Sequence, residues 1–310
     1  MIVTGTALPP LVNYDSPREL RAFLDERGLG MRKKHGQNFL INAAVRSRLL
    51  DALELRPGDN VWEIGPGLGA MTAGLLERGA LVTAFEIDPA FARALGEFFS
   101  GGGSAFRLVE GDVLKTWPAI AAELNEKSAS EDLFLLGNLP YNIAAALLAD
   151  FIEKGRFFTR LVVTVQREVA RRMAARPGTA DYSSFSVLCA SVYKITLLPV
   201  IKPASFYPAP RVDSQGALLE LLPRRELPRL FYPLVRNLFS SRRKIIKNTL
   251  SKFAASVILD KHKPGAAAAE ITAEVLSRAD ICGERRPETL SIDEFAALAA
   301  FLEEIVSDVR

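Results

Sequence analysis

The sequence predicts an α/β fold in which a mostly parallel sheet is followed by a small all-α domain. Short apolar runs rich in β-branched and aromatic residues alternate with helical patterns over most of the chain, which is typical of βαβ crossovers. These runs predict strands at about 60–64, 80–86, 105–109, 132–136, 158–165, 192–200 and 214–222. Past a proline-rich joint, helical patterns alone follow, at about 229–240, 242–254, 268–278 and 291–306.

The chain is accordingly divided into three predicted segments. Residues 1–30 form an N-terminal extension with a short helix that begins at Ser16-Pro17, a capping residue followed by a residue favoured in a first turn. Residues before that helix are expected to be loose. The sheet domain covers 31–222 and the helical domain covers 223–310. With 310 residues, 49% of them hydrophobic, the chain can bury both cores.

Composition and termini exclude several classes of protein. No apolar run is long enough to span a bilayer, and the N-terminus lacks the basic and apolar regions of a signal peptide. The chain has two cysteines, Cys189 and Cys282, which favours a reducing compartment, so we expect a cytoplasmic protein with no membrane partner. Two isolated histidines, His35 and His262, predict no metal site. Nothing in the sequence demands a dimer, and a monomer is expected.

A glycine-rich turn follows the first predicted strand of the sheet domain. Gly65, Gly67 and Gly69 stand at every second position between this strand and a helix that starts at Ala70. A dinucleotide fingerprint has the spacing G-x-G-x-x-G and holds a pyrophosphate at the helix N-terminus. Here the third glycine comes one residue early, which favours a ligand without phosphates. The alternative is that these glycines serve only a tight turn, because glycine-rich loops alone are weakly specific.

Two acidic residues lie at the ends of the next two predicted strands. Glu86 lies 21 residues past Gly65, where an acid can accept both ribose hydroxyls of a nucleoside. Asp112 follows the third strand and can accept a hydrogen bond from an adenine amino group. Each acid has an alternative role as a helix N-cap or a solvated loop residue. Together with the glycine turn they indicate a nucleoside site without a phosphate-binding group, a description that S-adenosylmethionine fits.

The fourth strand runs into the turn Gly-Asn-Leu-Pro-Tyr-Asn, which combines three features at the ligand-binding edge of the sheet. Asn138 supplies a side-chain acceptor, Pro140 favours an extended backbone that exposes the Leu139 carbonyl, and Tyr141 supplies a flat stacking surface. Two acceptors can hold the amino group of a base while its nitrogen faces an electrophile. The alternative is a plain strand-to-helix turn with Tyr141 packed beneath the next helix.

Positive charge is concentrated after the proline-rich joint. Between residues 224 and 263 there are eleven Lys and Arg against two acids, so that the rest of the chain is net negative although the whole carries +3. Arg236, Arg243 and Lys247 recur at helical spacing opposite an apolar face. Such a face is often only solvated, but a local excess of this size favours nucleic-acid binding.

Taken together, these segments resemble the adenine-N6 dimethyltransferases of ribosomal RNA, and most closely the bacterial enzymes of the small subunit. The resemblance extends from Arg32 onward and rests on the segments above and on four others, at 34–40, 206–214, 239–244 and 286–291. It implies a Rossmann-like S-adenosylmethionine-dependent methyltransferase sheet with a small helical, basic domain for recognition of RNA or the subunit. It further implies that these positions contact the cofactor: Asn38, Leu40, Gly65, Glu86, Asp112 and Asn138.

The resemblance also implies a substrate and a mechanism. The substrate would be two adjacent adenosines in the 3′-terminal hairpin of 16S rRNA, dimethylated during ribosome biogenesis, with 16S rRNA and the small subunit or its precursor as partners. Asn138 and the Leu139 carbonyl would hold the N6 amine in line with the methyl group. Tyr141 and Phe206 would sandwich the base. Phe206 has an alternative role as the hydrophobic anchor of a proline-rich loop.

Three other functions are weighed against this one. A large-subunit 23S rRNA dimethyltransferase of the resistance type has the same motifs but a smaller C-terminal domain, and usually Ile where this chain has Leu139. A non-catalytic RNA-binding assembly factor would not need Asn38, Glu86 and Asn138 intact. A nicotinamide dehydrogenase is disfavoured by the glycine spacing. We therefore expect a small-subunit rRNA dimethyltransferase.

Overall fold

The computed structural model describes residues 12–30, 37–127, 132–140, 143–257 and 264–308. These residues form two compact units. The first comprises residues up to Ala170 together with Lys194–Leu221, and the second comprises Arg171–Tyr193 together with the residues from Leu222 onward. Within the described ranges, no helix has both the length and the apolarity needed to cross a membrane.

Nine strands and twelve α-helices are described, numbered in chain order. The strands are β1 (Phe39–Leu40), β2 (Asn60–Ile64), β3 (Leu81–Glu86), β4 (Phe106–Glu110), β5 (Leu133–Asn138), β6 (Arg160–Gln166), β7 (Tyr193–Ile201), β8 (Phe206–Tyr207) and β9 (Ser214–Leu221). The helices are α1 (Pro17–Glu26), α2 (Ala43–Asp51), α3 (Ala70–Glu77), α4 (Pro89–Phe98), α5 (Val113–Lys127), α6 (Ala144–Glu153), α7 (Arg167–Met173), α8 (Ser184–Ala190), α9 (Phe231–Ser240), α10 (Ile246–Val257), α11 (Pro264–Arg278) and α12 (Ile292–Asp308).

The first unit contains a seven-stranded sheet in the order β4-β3-β2-β5-β6-β9-β7. The five strands from β4 to β6 are parallel, and β9 pairs antiparallel with β6. The chain proceeds outward from β2 through β3 to β4, and then returns to the other side of β2 as β5. Ligands bind at such a switch point, beyond the carboxyl ends of the strands. The predicted α/β class with a mostly parallel sheet is confirmed.

Apolar residues on both faces of the central strands explain why the sheet is buried. Val61 and Trp62 of β2 are at most 1% exposed, and Trp62 packs against Phe85 and Phe158 with ring centroids 5.0 and 5.5 Å apart. Parallel strands covered by helices on both faces are expected to be near-continuously hydrophobic. The helices therefore leave only the strand ends open to ligands.

The N-terminal helix is part of the sheet-containing unit. Ser16 caps α1 by accepting a hydrogen bond from the Glu19 backbone amide, as the sequence predicts. Leu20 and Leu24 are buried in one apolar cluster with Leu68 and Phe91. The apolar face of α1 thus holds this helix in place, because burying two leucines on one side of a ten-residue helix stabilises it.

The second unit is helical, and it includes residues that the sequence predicts as part of the sheet domain. Its core includes Tyr182 and Val187, which lie far upstream of the proline-rich joint, beside residues of α9 to α12. The Tyr182 hydroxyl donates to the Leu290 carbonyl at 3.0 Å. The segment 171–193 therefore packs with the helices of 222–310, although the sequence assigned it to the sheet domain. Its apolar side chains find their partners there.

Candidate active site

The glycine turn between β2 and α3 is built from left-handed backbone. Gly65, Gly67 and Gly69 have φ of 68°, 60° and 84°, a region that only glycine enters easily. A Cβ on Gly67 would lie 3.0 Å from the Phe39 ring, and one on Gly69 would lie 2.5 Å from the ring of Phe99. Glycine is therefore required here both for the turn and for the close approach of neighbouring side chains.

Glu86, the last residue of β3, lines the pocket beside this turn. The Gly67 amide donates to its Oε2 at 3.2 Å, and the Asp88 amide donates to its Oε1 at 2.9 Å. The side chain is almost fully buried, and burial raises the pKa of its carboxyl group to about 7. Each carboxylate oxygen can accept a second hydrogen bond, so Glu86 is oriented by the backbone and still able to receive two hydroxyl groups.

A second buried acid, Glu63, lies in β2 just before the turn and was not singled out by the sequence. It is fully buried, and Thr72 Oγ1 donates to its Oε2 at 2.6 Å. Burial is the main cause that raises the pKa of this carboxyl group to about 7, and the negative charge of Glu86 adds to it. Two acids with elevated pKa values thus lie beneath one loop, a pattern that is frequent at functional sites.

Asp112 caps a helix, which is the alternative role that the sequence leaves open. Its Oδ1 accepts from the Leu114 amide at 3.1 Å, and its carbonyl oxygen accepts from the amides of Lys115 and Thr116, so it caps α5. Gly111 donates to the Glu86 carbonyl at 2.8 Å, which places this turn beside the end of β3. Asp112 does not line the pocket in its described part, and its contact with an adenine amine stays a prediction.

The turn after β5 also borders the pocket. Asn138 Nδ2 donates to the Asn38 carbonyl at 2.7 Å, and both residues line the pocket with Pro140. Leu139 donates its amide to the Thr164 carbonyl at 3.0 Å, and its side chain is buried. The strand end therefore fixes the backbone of the turn, while the Asn38 carbonyl fixes the amide group of Asn138.

A two-stranded ladder joins two other motifs beside the pocket. In β1 and β8, Phe39 pairs with Tyr207 and Leu40 pairs with Phe206. Leu40 lines the pocket, as expected. Phe206, however, is 3% exposed and packs in the apolar cluster of Leu40. In this conformation it has the anchoring role rather than an open stacking face. Tyr141, the other proposed stacking residue, lies outside the described residues.

The N-terminal segment contributes a wall that the sequence did not predict. Tyr14 and Leu20 line the pocket, and the Tyr14 hydroxyl donates to the Leu68 carbonyl in the glycine turn at 2.9 Å. Arg46 of α2 lines it as well, with its Nη2 2.6 Å from Asp15 Oδ1. Val12 and Tyr14 are therefore packed, where the sequence predicts a loose segment. No local pattern could have revealed this, because Tyr14 and Leu68 are 54 positions apart.

The lining of the pocket is typical of a small-molecule site, since ligand pockets are lined mainly by apolar side chains with a few polar groups. Counted together with its open mouth, the empty space is about 800 Å³. Its lining is mainly apolar, with the carboxylate of Glu86, the guanidinium of Arg46 and side-chain amides of Gln37, Asn38 and Asn138. Among the residues that the structure describes, no group of His, Cys, Asp or Glu is arranged to bind a metal ion.

The predicted RNA-binding residues are exposed on the helical unit. Arg236 lies on α9, Lys247 on α10, and Arg243 between the two helices. Arg242, which the charge count included, instead holds the unit together: its Nε donates to Glu288 at 3.0 Å and its Nη1 to the Ala180 carbonyl at 2.9 Å. A second, polar depression lies along the same segment, lined by Ser241, Lys244, Ile245, Asn248, Thr249, Ser251 and Lys252.

Comparisons with known proteins agree with this geometry. The family model of ribosomal RNA adenine dimethylase matches residues 28–285. The chain is 42% identical over 290 residues to the ribosomal RNA small subunit methyltransferase A of Treponema pallidum, covering 93% of this chain and 96% of the relative. It is 41% identical over 297 residues to the protein of the same name from Treponema denticola, covering 94% and 95%.

A solved structure shares the fold. The dimethyladenosine transferase from Plasmodium falciparum matches with a TM-score of 0.67 at 23% identity, covering 85% of this chain and 96% of that one. At this identity the likeness supports the fold alone, which is the Rossmann-like methyltransferase sheet with a helical C-terminal region. The family model and the two bacterial relatives carry the assignment further. The chain belongs to the ribosomal RNA adenine dimethylase family, whose enzymes use S-adenosylmethionine.

Proposed function

We propose that this chain dimethylates the N6 amines of two adjacent adenosines in the 3′-terminal hairpin of 16S rRNA, on the small ribosomal subunit or its precursor. The observation that carries the proposal is the turn at Asn138, whose side-chain amide is oriented beside a pocket that suits a nucleoside. The names of the bacterial relatives, which specify the small subunit, support the choice of substrate.

The pocket suits S-adenosylmethionine because its one lining carboxylate, in the described part of the chain, is placed for a ribose. The buried Glu86 would accept the two ribose hydroxyls, while a phosphate in the same place would be repelled by its charge. The glycine turn at Gly65 and Gly67 lets the backbone approach the ligand closely. Asn38 and Leu40 would cover it from the side of β1.

Asn138 would bind the amine that reacts. Because its Nδ2 donates to the Asn38 carbonyl at 2.7 Å, its Oδ1 is the atom that remains to accept from a ligand. With the Leu139 carbonyl as a second acceptor, both hydrogens of an adenine amine can be held. The lone pair of the nitrogen is then directed out of the ring, toward the cofactor.

The chemistry needs position more than a strong base. The sulfonium of the cofactor supplies an activated methyl group, so the residues of the chain have to align the amine and exclude competing nucleophiles. After one transfer the amine has one hydrogen left, and one of the two acceptors at Asn138 and Leu139 becomes free. The site must then admit a methyl group where that hydrogen was. The proton of the product passes to solvent, because a methylated arylaminium is strongly acidic.

Stacking would hold the base after it leaves the RNA stack. The resemblance assigns this to Tyr141 and Phe206. Since Phe206 of β8 is buried in the apolar cluster that contains Leu40, it would stack only if the residues that cover its ring move aside when RNA binds. Tyr141 is therefore the residue on which we place the main stacking role.

RNA would be bound by the exposed basic residues of the helical unit. Arg236, Arg243 and Lys247 are all exposed, and phosphate contacts of this kind give affinity without sequence specificity. The choice of adenosine would then depend on the turn at Asn138, whereas the choice of subunit would depend on where the basic surface meets its RNA.

Transfer of labelled methyl groups tests the proposal. Purified small and large ribosomal particles that lack the modification are incubated with the protein and labelled S-adenosylmethionine, and the RNA is digested to nucleosides. We expect N6,N6-dimethyladenosine from the small-subunit RNA alone. Label in the large-subunit RNA would assign the enzyme to the other ribosomal subunit. No label in either, with cofactor binding intact, would favour a non-catalytic assembly factor.

A further inference from the structure

The pocket contains one cation among its described lining residues, and the family motifs do not include it. Arg46 stands in the first half of α2, and its side chain is only 12% exposed. Glu86 is the one carboxylate of the same lining. A buried cation needs an anionic partner or several acceptors, since desolvation of an unpaired charge is costly.

Two acceptors hold the guanidinium of Arg46 in place. Its Nη1 donates to the Leu40 carbonyl at 2.8 Å, and its Nη2 donates to Asp15 Oδ1 at 2.6 Å. Its Cζ lies 5.9 Å from the centre of the Tyr14 ring. Within the described residues, these contacts use two of the five N–H donors of the fork. The guanidinium is thus fixed between the N-terminal segment and the end of β1, with donors left for a ligand.

The contacts of Arg46 with Asp15 and the Leu40 carbonyl do not by themselves explain why its side chain borders the pocket. Asp15 is about half exposed, and a surface ion pair of this kind contributes at most about 1 kcal/mol. An arginine that served only to connect Asp15 with the Leu40 carbonyl could have its side chain completely covered by protein. Here the side chain instead borders the cavity, which is where a ligand anion would meet it.

S-adenosylmethionine carries one carboxylate, on its methionine part. We propose that Arg46 binds this α-carboxylate, and that Asp15 and Tyr14 are positioning residues that hold the guanidinium toward the pocket. The planar fork of an arginine matches a carboxylate with two parallel hydrogen bonds. Glu86 would hold the ribose and Arg46 the amino-acid end, so the two charges of the lining fix two separate parts of one ligand.

The inference rests on the assignment of S-adenosylmethionine as the cofactor. Binding of a nucleoside ligand that lacks the amino-acid group distinguishes a failure of the inference from a failure of that assignment. Isothermal titration measures binding of S-adenosylhomocysteine and of 5′-methylthioadenosine, which keeps the nucleoside and the sulfur but lacks the amino-acid group. If the parent protein binds neither ligand, the cofactor assignment itself fails. The expected parent result is binding of both, with S-adenosylhomocysteine the tighter ligand.

The variant Arg46→Gln is then compared with the parent. Hydrogen bonds to charged groups contribute about 1.5–3 kcal/mol, so we expect its affinity for S-adenosylhomocysteine to fall roughly 10- to 100-fold. Its affinity for 5′-methylthioadenosine should stay within about twofold of the parent, since that ligand has no carboxylate for Arg46 to bind. An equal loss for both ligands, or no loss for either, overturns the proposal, because a structural role does not discriminate between them.

A ligand without the carboxylate gives an independent measurement. The decarboxylated analogue of S-adenosylhomocysteine should bind the parent as weakly as Arg46→Gln binds S-adenosylhomocysteine, and the variant should lose nothing further with the analogue. Additive losses from the variant and the analogue would contradict a direct contact. If Arg46→Gln does not fold, as judged by its thermal melt, Arg46→Lys takes its place. It keeps the charge without the planar fork, and the same selective loss is expected, at smaller size.

Asp15→Asn is the matched variant outside the pocket. It removes the charge that holds Arg46 but leaves the guanidinium itself. We expect a loss of a few-fold for S-adenosylhomocysteine and none for 5′-methylthioadenosine. If Asp15→Asn weakened the binding of both ligands as much as Arg46→Gln weakens that of S-adenosylhomocysteine, the N-terminal segment would act through folding of the pocket wall. That outcome would contradict the proposal.

Discussion

Replacement of Glu63 by Gln should stabilise the sheet-containing unit, and the gain should grow with pH. Glu63 is fully buried, its Oε2 accepts from Thr72 at 2.6 Å, and its Oε1 has no partner among the described residues. Burial raises the pKa of this carboxyl group from 4.5 to about 7. The native state therefore holds the proton more tightly than the unfolded chain does, and ionisation at higher pH works against folding.

The sign and the size of the stability change follow from the linkage between folding and proton binding. Between about pH 4.5 and pH 7 the native state binds more protons than the unfolded state, so the free energy of unfolding falls as pH rises, and it levels off above pH 7. One pH unit corresponds to about 1.4 kcal/mol, so an acid with a pKa raised from 4.5 to about 7 costs the ionised native state about 3 kcal/mol. Glu63→Gln removes this cost while keeping an acceptor for Thr72.

Tryptophan fluorescence reports the thermal unfolding of the sheet-containing unit. Both tryptophans of the chain, Trp62 and Trp117, belong to the first unit and are buried. We expect Glu63→Gln to melt within a few degrees of the parent at pH 5, and at pH 8 to melt higher by roughly 5–10 °C, since 1 kcal/mol shifts the melting temperature of a unit of this size by about 2–4 °C. The exposed Glu77→Gln is the matched control, without change at either pH. A difference that is independent of pH would refute the argument, since it would mean that Glu63 does not titrate between these states.

Three further predictions concern the site and the basic surface. Asn138→Ala should abolish methyl transfer while the affinity for S-adenosylhomocysteine in titration calorimetry stays within about tenfold, because the lost acceptor acts on the reacting amine; an equally large loss of affinity would contradict this role. Glu86→Gln should weaken cofactor binding by about 1–3 kcal/mol above pH 7, and less at pH 6, because the parent carboxyl group, with a pKa of about 7, is then largely protonated; equal affinity at every pH would leave Glu86 a structural residue. Replacing Arg236, Arg243 and Lys247 together with Ala should weaken RNA binding and flatten its dependence on salt by up to about three counterions, without changing cofactor affinity or the thermal melt. An unchanged salt slope would mean that these residues form only a solvated face.

The sheet and much of the site follow from local patterns. The predicted strands agree with β2 to β7 and β9 to within about two residues at each end. For the central strands β2, β5 and β6 the reason is that buried parallel strands are mainly apolar over their length. The sequence predicts Gly65, Glu86 and Asn138 at one edge for a single reason: each ends or directly follows a strand, and parallel strands end on the same side of a sheet. All three line the pocket.

Other features depended on contacts between distant parts of the chain. Asp112 could cap a helix or face a ligand, and the sequence was compatible with both; the structure shows the cap. Phe206 is aromatic in a proline-rich loop, and its burial follows from pairing with Leu40, 166 positions earlier. The sequence predicts the segment 171–193 as part of the sheet domain, and its place with the second core follows from the partners of Tyr182 and Val187.

The sequence by itself determined the fold class, the family motifs and the strand ends that carry them, because hydrophobic periodicity and glycine at left-handed positions are local properties. Only the tertiary structure decided which side chains border the pocket. Tyr14 and Arg46 are there because an apolar helix face packs the N-terminal segment against the sheet-containing unit, which brings Asp15 to the guanidinium of α2. Burial also set the pKa values of Glu63 and Glu86, since desolvation depends on everything packed around a group and not on its neighbours in sequence.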